Sequence, residues 1–526
     1  ADLMTEIRLA LADEKLEPEP LSDEVKAVLE LTDIGSFRIN GFATHSAVVP
    51  VSGQVIDPNR QFRGYLESAG KFQLSPRWSV TYSGRIASDR TFLRRYDITR
   101  DDRLRSTIEA ERIGPNSYFS LAGWALRPDD LGQPHTPYFA ALNQLLRRAG
   151  AGLPLLVVDL ERLDQNAELL ASQLGKQLPL RLVAKSLAST GLLDYLAKKL
   201  GTQRFMVFHQ PQINQLAVNF PQSDLLLGKP LPSAAALSFY QQLPQGSGFV
   251  PAEQLTWLID SQNRLQEYAA LANALNQPLQ IAFEIDIGLA RGGFATPAEL
   301  GAALTWLRNT PNRLRIRGLM GYDAHLAHTP FWTDQTSAFT QSAARYRAFI
   351  TSAAAFSELW PQQPLLNGAG SLTYALHTQL DTPLNEVAVG SALLKPSDFD
   401  SDLLAAQQAA LWIASPVLKA LPGQLPFLDG SQQLLQRWNP NRQQAYYLYG
   451  GQWPAAPVSP AGLSYDSLYG RSANQERLIG SAGTGLQVDD WVFLRPQRSE
   501  GLFELFNQLV LLRNGRLVGS WSASRA

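Results

Sequence analysis

The chain has 526 residues, 45% apolar and 18% charged, with a net charge of −1, so two or three domains are expected and nothing electrostatic supports nucleic-acid binding. It contains no cysteine, which excludes disulfides, thiolate metal sites and a cysteine nucleophile together and leaves the redox compartment open. No run of about 18 apolar residues occurs, so no transmembrane helix is expected.

The opening stretch ADLMTEIRLALADEK lacks a basic-then-apolar signal layout, which implies either a removed leader or an unnatural start. Sequence before about residue 126 reads as β-strand. In RWSVTYSGRIASD, Trp78, Val80, Tyr82, Gly84 and Ile86 fall on one face, with Ser79, Thr81, Ser83 and Arg85 on the other. RLRSTIEAERIGPNSYFSLAGWAL reads as two strands around the turn Gly114-Pro115-Asn116. Half of a sheet sandwich, the default, or an outer-membrane barrel would give this pattern. Residues 127–150 are read as a polar, proline-rich joint and a lead-in helix, YFAALNQLLRRAG.

Then the period changes. Helical stretches alternate with short apolar runs. Leaving aside LPLLVVDL, the runs are RLVAKS, RFMVFH, DLLLGK, LTWLID, LQIAFEID, IRGLMGYD, LLNGAG and EVAVGSALLK. These are the strands of a (β/α)8 barrel, at close to the usual ~250 residues, expected over residues 151–403; a doubly wound open sheet is the competitor. Residues 404–526 read as a C-terminal β-domain ending in the hairpin VLLRNGRLVGSW, with Asn514-Gly515 as its type I′ turn. The expected class is therefore α/β: a TIM barrel with a C-terminal β-domain, preceded by an all-β segment over residues 1–126.

Barrel enzymes place their chemistry at the C-terminal strand ends. The first strand there ends in Lys185, the fifth in Asp286, Gly288, Arg291 and Gly292-Gly293, and the sixth in Tyr322, Asp323 and His325. The seventh ends in Asn367, Gly368, Gly370, Ser371 and Thr373, and the eighth in Gly390 and Ser391. Taken singly, each has a plainer reading: a surface lysine, a solvated arginine, a core histidine, a simple glycine turn. Together they offer a lysine and a phosphate cradle on one rim. Those are the two anchors of pyridoxal phosphate, with the aldehyde on lysine as a Schiff base.

From about residue 150 to the end, the chain resembles the fold-type III pyridoxal-phosphate enzymes, which include alanine racemase, D-threonine aldolase and D-serine dehydratase. LLVVDLERLDQN, RLVAKS, EIDIGLARGGF, GLMGYDAH, NGAGSLTY, NEVAVGSALL and the tail DDWVFLRP…VLLRNGRLV carry the resemblance. It implies Lys185 as the Schiff-base lysine and Arg291 as the arginine beside the cofactor, with His325 as a ring near the pyridine. It also implies a phosphate site at Gly370, Ser371, Gly390 and Ser391, beside Asn367 and Gly368. Tyr322, His325 and Tyr469 become candidate acid/base groups facing Lys185. The family implies a small amino acid substrate and a homodimer, with YGRSANQE, Tyr469 to Glu476, reaching over the partner's barrel mouth.

Two departures stand out. The aldolase and dehydratase members carry a His-x-Asp or His-x-Cys metal pair after a late proline; here the stretch reads Pro496-Gln497-Arg498-Ser499-Glu500, and all six histidines lie at or before His377. One carboxylate beside a fixed positive charge is a poor divalent site, so no metal is expected, and an Arg498–Glu500 ion pair is expected in its place. In the racemases an arginine two residues before the strand-eight glycine faces the pyridine nitrogen; here that residue is Ala388. Racemisation, aldol cleavage and β-elimination all stay open.

The first 125 residues resemble a piece of the lipopolysaccharide-assembly outer-membrane barrel, through FRINGFATHSAVVPVSGQVID, FRGYLESAGKFQLSPRWSV and SDRTFLRRYDITRDDRLRSTIEAERIGPNSYFSLAGWA. An open fragment has unpaired edges and cannot span a membrane alone. A fusion joined within LAGWALRP is expected, with a β-extension belonging to the enzyme as the alternative. The leading reading is a metal-independent pyridoxal-phosphate enzyme acting at Cα of an amino acid, a D-amino acid being favoured. A non-catalytic pyridoxal-phosphate-binding protein and an outer-membrane assembly component are the alternatives. A soluble location, cytoplasmic or periplasmic, goes with the first, and the outer membrane with the last.

Overall fold

The computed structural model describes residues 6–10, 22–31, 34–48, 57–87, 105–115, 117–126, 129–150, 152–330, 332–424, 436–468 and 470–524. They fall into two units, one within residues 1–132, 421–444 and 480–483, the other within 133–420, 445–479 and 484–526.

The first unit carries seven strands: β1 (Glu6–Ala10), β2 (Ser22–Leu31), β3 (Gly35–Val48), β4 (Asp57–Ser75), β5 (Trp78–Ala87), β6 (Arg105–Gly114) and β7 (Ser117–Leu126). They form one antiparallel sheet in chain order. The register pairs Leu66 with Ile86, Ala110 with both Val80 and Leu121, and Arg112 with both Trp78 and Phe119. Period-two alternation then gathers the apolar side chains on one face. Phe72 stacks on Tyr82 with centroids 6.0 Å apart, and Trp78 meets Phe119 edge-on at 6.3 Å. Leu66, Leu74, Ile108, Phe119 and Leu121 on this face are exposed. The other face is mainly polar, with Ile113 and Tyr118 as exposed exceptions: Arg85 Nε donates to Glu67 Oε1 at 3.1 Å and Ser120 Oγ to Glu109 Oε1 at 2.8 Å.

In the second unit, helix Pro137–Ala149 packs Leu142 and Leu146 on Val157, Trp412, Trp491 and Phe493. β8 (Leu155–Asp159) follows, and Asp159 Oδ1 caps the next helix, Leu160–Leu174, by accepting from Glu161 N at 3.0 Å and Arg162 N at 3.1 Å. Then come β9 (Leu180–Val183), β10 (Arg204–Val207), β11 (Asp224–Leu227), β12 (Leu255–Ile259), β13 (Leu279–Glu284), β14 (Leu314–Gly321), β15 (Leu365–Gly368) and β16 (Glu386–Val389). These eight parallel strands close into a barrel through β16 and β9, with Val387 opposite Leu180 and Val389 opposite Leu182. Most are short, almost wholly apolar runs because a parallel sheet under helices is buried on both faces. Among the polar residues in these strands Arg181 is fully buried in β9: its Nε and Nη2 donate to Glu386 Oε1 and Oε2 at 2.6 and 3.1 Å, and Nη1 donates to the Asp224 carbonyl at 2.8 Å. Pairing of this completeness is what makes a buried guanidinium tolerable.

The C-terminal strands are β17 (Leu411–Pro422), β18 (Gln444–Tyr449), β19 (Ala455–Ser459), β20 (Ser464–Tyr465), β21 (Gln475–Gly480), β22 (Trp491–Pro496), β23 (Gln508–Arg513) and β24 (Arg516–Ser522). β8 does not join the barrel. It lies between β17, antiparallel, and β23, parallel, and so ties the start of this unit to its last strands. The β23–β24 turn has φ of +49° at Asn514 and +66° at Gly515, as the Asn-Gly signal requires. Among the described residues no helix is long and apolar enough to cross a membrane.

Candidate active site

β9 ends at Val183 and the chain turns through a single 3-10 turn, Ala184–Leu187, before Ser189 caps helix Thr190–Leu200. That turn carries Lys185 to the C-terminal rim of the barrel. Its Nζ lies 4.6 Å from the centroid of the Phe208 ring. Burial lowers its proton affinity, Glu500 opposes this, and Arg291, Lys229 and Arg498 add to the lowering; the net direction is down from 10.5.

Lys185 opens onto a cavity of ≈ 190 Å³ whose lining also includes Arg291, Tyr322, Asn367, Gly370, Ser371 and Ser391. Arg291 stacks its guanidinium 4.7 Å from the Tyr322 ring centroid. Burial, then Asp323, pushes the Tyr322 phenol up from 10.0, with Arg291 opposing. The phenol therefore stays protonated at neutral pH and can donate.

Two glycine turns form the far wall. Ser371 Oγ accepts from Gly390 N at 3.2 Å and from Ala392 N at 3.1 Å, locking the β15 and β16 turns together. A Cβ on Gly370 would lie 2.8 Å from Tyr322 Cε2, and one on Gly390 2.9 Å from Val183 Cβ and Ser186 Cβ, so both turns need a bare backbone. Behind them Thr373 Oγ1 accepts from Gly370 N at 3.0 Å and donates to Asp323 Oδ1 at 2.7 Å; Asp323 Oδ2 lies 2.7 Å from His377 Nε2.

Lys185, Arg291, Tyr322, Asn367, Gly370, Ser371 and Ser391 are thus brought to one cavity. Gly368, Gly390 and His325 do not line it. A side chain at Gly368 would meet Gly321 O at 2.7 Å, so its bareness serves strand pairing. His325 is carried away by the 3-10 turn Ala324–His328: its Nε2 lies 2.9 Å from Ser342 Oγ and burial lowers its proton affinity. Its ring lies beside Gly288. Tyr469 lies outside the described residues.

The expected Arg498–Glu500 ion pair is corrected. Arg498 Nε bonds Asp398 Oδ2 at 2.7 Å, because its exposed side chain reaches a carboxylate away from the cavity. Glu500 instead turns inward and lines the cavity, where Oε1 accepts from Ser186 Oγ at 2.7 Å and Ser391 Oγ at 3.3 Å. Glu500 and Ser186 were not among the expected site residues; the signal was the serine directly after Lys185 and the carboxylate at the end of the altered metal stretch. Among the described residues no group of three or more His, Asp or Glu could hold a metal ion.

Residues 158–398 match the family model described as alanine racemase, N-terminal domain. The barrel is of the alanine-racemase type. D-threonine aldolase from Filomicrobium marinum superposes with a TM-score of 0.55 at 16% identity, over 70% of this chain and 96% of that one. D-threo-3-hydroxyaspartate dehydratase from Delftia sp. HT23 does so with 0.53 at 16%, over 72% and 98%. Alanine racemase from Bacillus anthracis gives 0.52 at 14%, over 71% and 98%. At such identities the likeness is one of fold. Residues 61–145 match a second family model, LPS transport system D. No curated protein matches the chain.

The residues lining this cavity fit pyridoxal phosphate. A partly desolvated amine is present for the aldehyde, and Met206, Met320 and Phe208 supply apolar walls for a ring. Ser371, Ser391 and two glycine turns that tolerate no Cβ supply the cradle for a phosphate.

Proposed function

We propose that the second unit is a pyridoxal-phosphate-dependent enzyme acting at Cα of an amino acid, a D-amino acid, without a metal ion. The observation that carries this reading is the cavity shared by Lys185 and the Ser371–Ser391 turns. When bound, the cofactor would supply an electron sink for bonds at Cα. Lys185 would take the aldehyde, and its lowered proton affinity lets it attack and then carry a proton. Tyr322 would donate a proton from its own wall, and Arg291, stacked on it, would hold that ring. Gly370, Ser371 and Ser391 would hold the phosphate, with Gly390 tying their turns together through Ser371, Asn367 on the cavity wall and Gly368 keeping the strands beneath close. His325 would act only as support, and Tyr469 would come from a second copy of the chain in a homodimer.

D-amino acids are favoured because the aldolase and dehydratase of like fold are named for D-substrates. Metal independence is favoured because Glu500 serves two serines and Arg498 serves Asp398.

The test is borohydride reduction of the full chain with added pyridoxal phosphate, followed by peptide mapping. A stable label on Lys185 supports the reading, and no label anywhere sinks it. A panel of D-amino acids, assayed for the L-enantiomer, an aldehyde or a keto acid, then assigns the reaction; a label without turnover leaves a non-catalytic cofactor-binding protein.

A second reading concerns the first unit alone. One face carries the exposed apolar side chains Leu66, Leu74, Ile108, Phe119 and Leu121, and the other is mainly polar, with the Arg85–Glu67 ion pair. An exposed apolar face fits a membrane-barrel wall, and the match to LPS transport system D covers residues 61–145, from β4 through β7 and into helix Pro137–Ala149. Recovery of the protein with outer membranes would favour this role, and recovery in the aqueous fraction would reject it.

A further inference from the structure

The cavity contains one buried acceptor that the protein itself leaves unsatisfied. Asn367, the third residue of β15, is fully buried and lines the cavity. Its Nδ2 donates to Glu386 Oε1 at 2.8 Å. Glu386 is gripped by Arg181 Nε and Nη2 at 2.6 and 3.1 Å, so its oxygens act as acceptors. The Asn367 amide is therefore oriented: nitrogen to the carboxylate, oxygen away from it. That oxygen, Oδ1, has no hydrogen-bond partner among the described residues.

A buried carbonyl in such a place selects for a ligand with a donor. We infer that Asn367 Oδ1 accepts a hydrogen bond from the protonated ring nitrogen of pyridoxal phosphate, so that this chain holds the ring as a pyridinium. The inference rests on the cofactor reading above and adds the protonation state. An acceptor cannot pair with the lone pair of a neutral pyridine; it requires N–H. Ala388, also on the cavity wall, carries no polar side chain to compete with Asn367. The Arg181–Glu386–Asn367 chain thus serves two ends: it fills the lower barrel, and it turns the amide so that only a donor is welcome above it. A pyridinium withdraws electrons more strongly than the neutral ring, which deepens the electron sink for whichever bond at Cα is broken.

The test uses full-length protein loaded with pyridoxal phosphate carrying 15N in the ring. The wild-type signal is expected at the pyridinium position at neutral pH, and Asn367→Leu is expected to shift it toward neutral pyridine. A second measurement needs no variant: the analogue with carbon in place of the ring nitrogen should bind the wild type at least about tenfold more weakly than the cofactor. A neutral-pyridine signal in the wild type, a signal unchanged by Asn367→Leu, or equal binding of the analogue each overturns the inference while leaving the borohydride label on Lys185. Absence of that label overturns the cofactor reading, and this inference with it.

Discussion

Ser186 Oγ donates a 2.7 Å hydrogen bond to Glu500 Oε1, joining residues 314 positions apart in the chain. The bond fixes a carboxylate beside the turn that carries Lys185. Burial lowers the proton affinity of Lys185, and Glu500 is the largest influence opposing it. Aldehyde capture needs the neutral amine, whose fraction at a given pH grows as the amine's proton affinity falls. The midpoint of capture rate against pH is therefore expected below the ordinary lysine value. Glu500→Gln removes the opposing charge and should move that midpoint lower still. Stopped-flow absorbance after mixing with pyridoxal phosphate across pH measures both; a midpoint that rises in the variant contradicts the assignment.

The β15 turn is held from behind. Thr373 Oγ1 links Gly370 N to Asp323, and Asp323 is met on its other oxygen by His377, whose Nδ1 lies 2.7 Å from Thr382 Oγ1. Thr373→Val keeps the shape and removes both bonds. It leaves a buried carboxylate with one partner fewer, which should cost about 1.5–3 kcal/mol of stability. The loosened turn should also weaken cofactor binding more than it slows turnover of the loaded enzyme. Denaturant titration gives the first number, and cofactor titration set against kcat separates the other two.

Much of this was legible in the sequence, and the limits have physical causes. The eight barrel strands show because each is a short apolar run ending in a turn signal, as in RLVAKS or NGAG, and burial on both faces leaves little else in such strands. LPLLVVDL has the same composition, yet β8 belongs to the C-terminal sheet; composition reports burial, not which sheet provides it. Lys185 and the glycine turns show because their chemistry is local. Glu500 could be placed only by knowing that Ser186 and Ser391 lie across from it. His325 shows the same limit: GYDAH fixes its distance from Tyr322 along the chain, but the 3-10 turn decides which way its ring faces, and it does not line the cavity. The alternation in β5 shows which residues share a face. It does not show whether water or a core meets that face.

Arg498 is the next point of test. Its side chain is 72% exposed and pairs with Asp398, itself 40% exposed, so solvent screens the interaction. Arg498→Ala should change stability by less than about 1 kcal/mol. It should leave cofactor binding near the wild-type level, because Glu500 stays tied to Ser186 and Ser391. Metal analysis of the purified protein should find no stoichiometric divalent ion, and activity should survive a chelator. Loss of activity in chelator, restored by one added divalent cation, would reject metal independence.

Gly390 tests whether the lysine turn and the phosphate turn must touch. Its φ is −145°, outside the left-handed region that favours glycine. The obstacle is space: the added Cβ would lie 2.9 Å from Val183 Cβ, Val183 O and Ser186 Cβ. Overpacking of this kind costs about 1–3 kcal/mol. Relief requires β9 and β16 to part at their C-terminal ends, which separates Lys185 from Ser371 and Ser391. Gly390→Ala should therefore lower Tm and weaken cofactor binding by about tenfold or more, since ångström-scale misplacement in a site carries costs of that order. Gly301→Ala is the control: it lies within helix Pro297–Asn309, where the nearest atom to its Cβ, Ser352 Oγ, is 3.5 Å away. That substitution should stabilise by about 0.5–1 kcal/mol through helix propensity and leave cofactor affinity unchanged. Thermal melts and cofactor titrations on the two variants, side by side, separate a local packing defect at the cradle from a general loss of barrel stability.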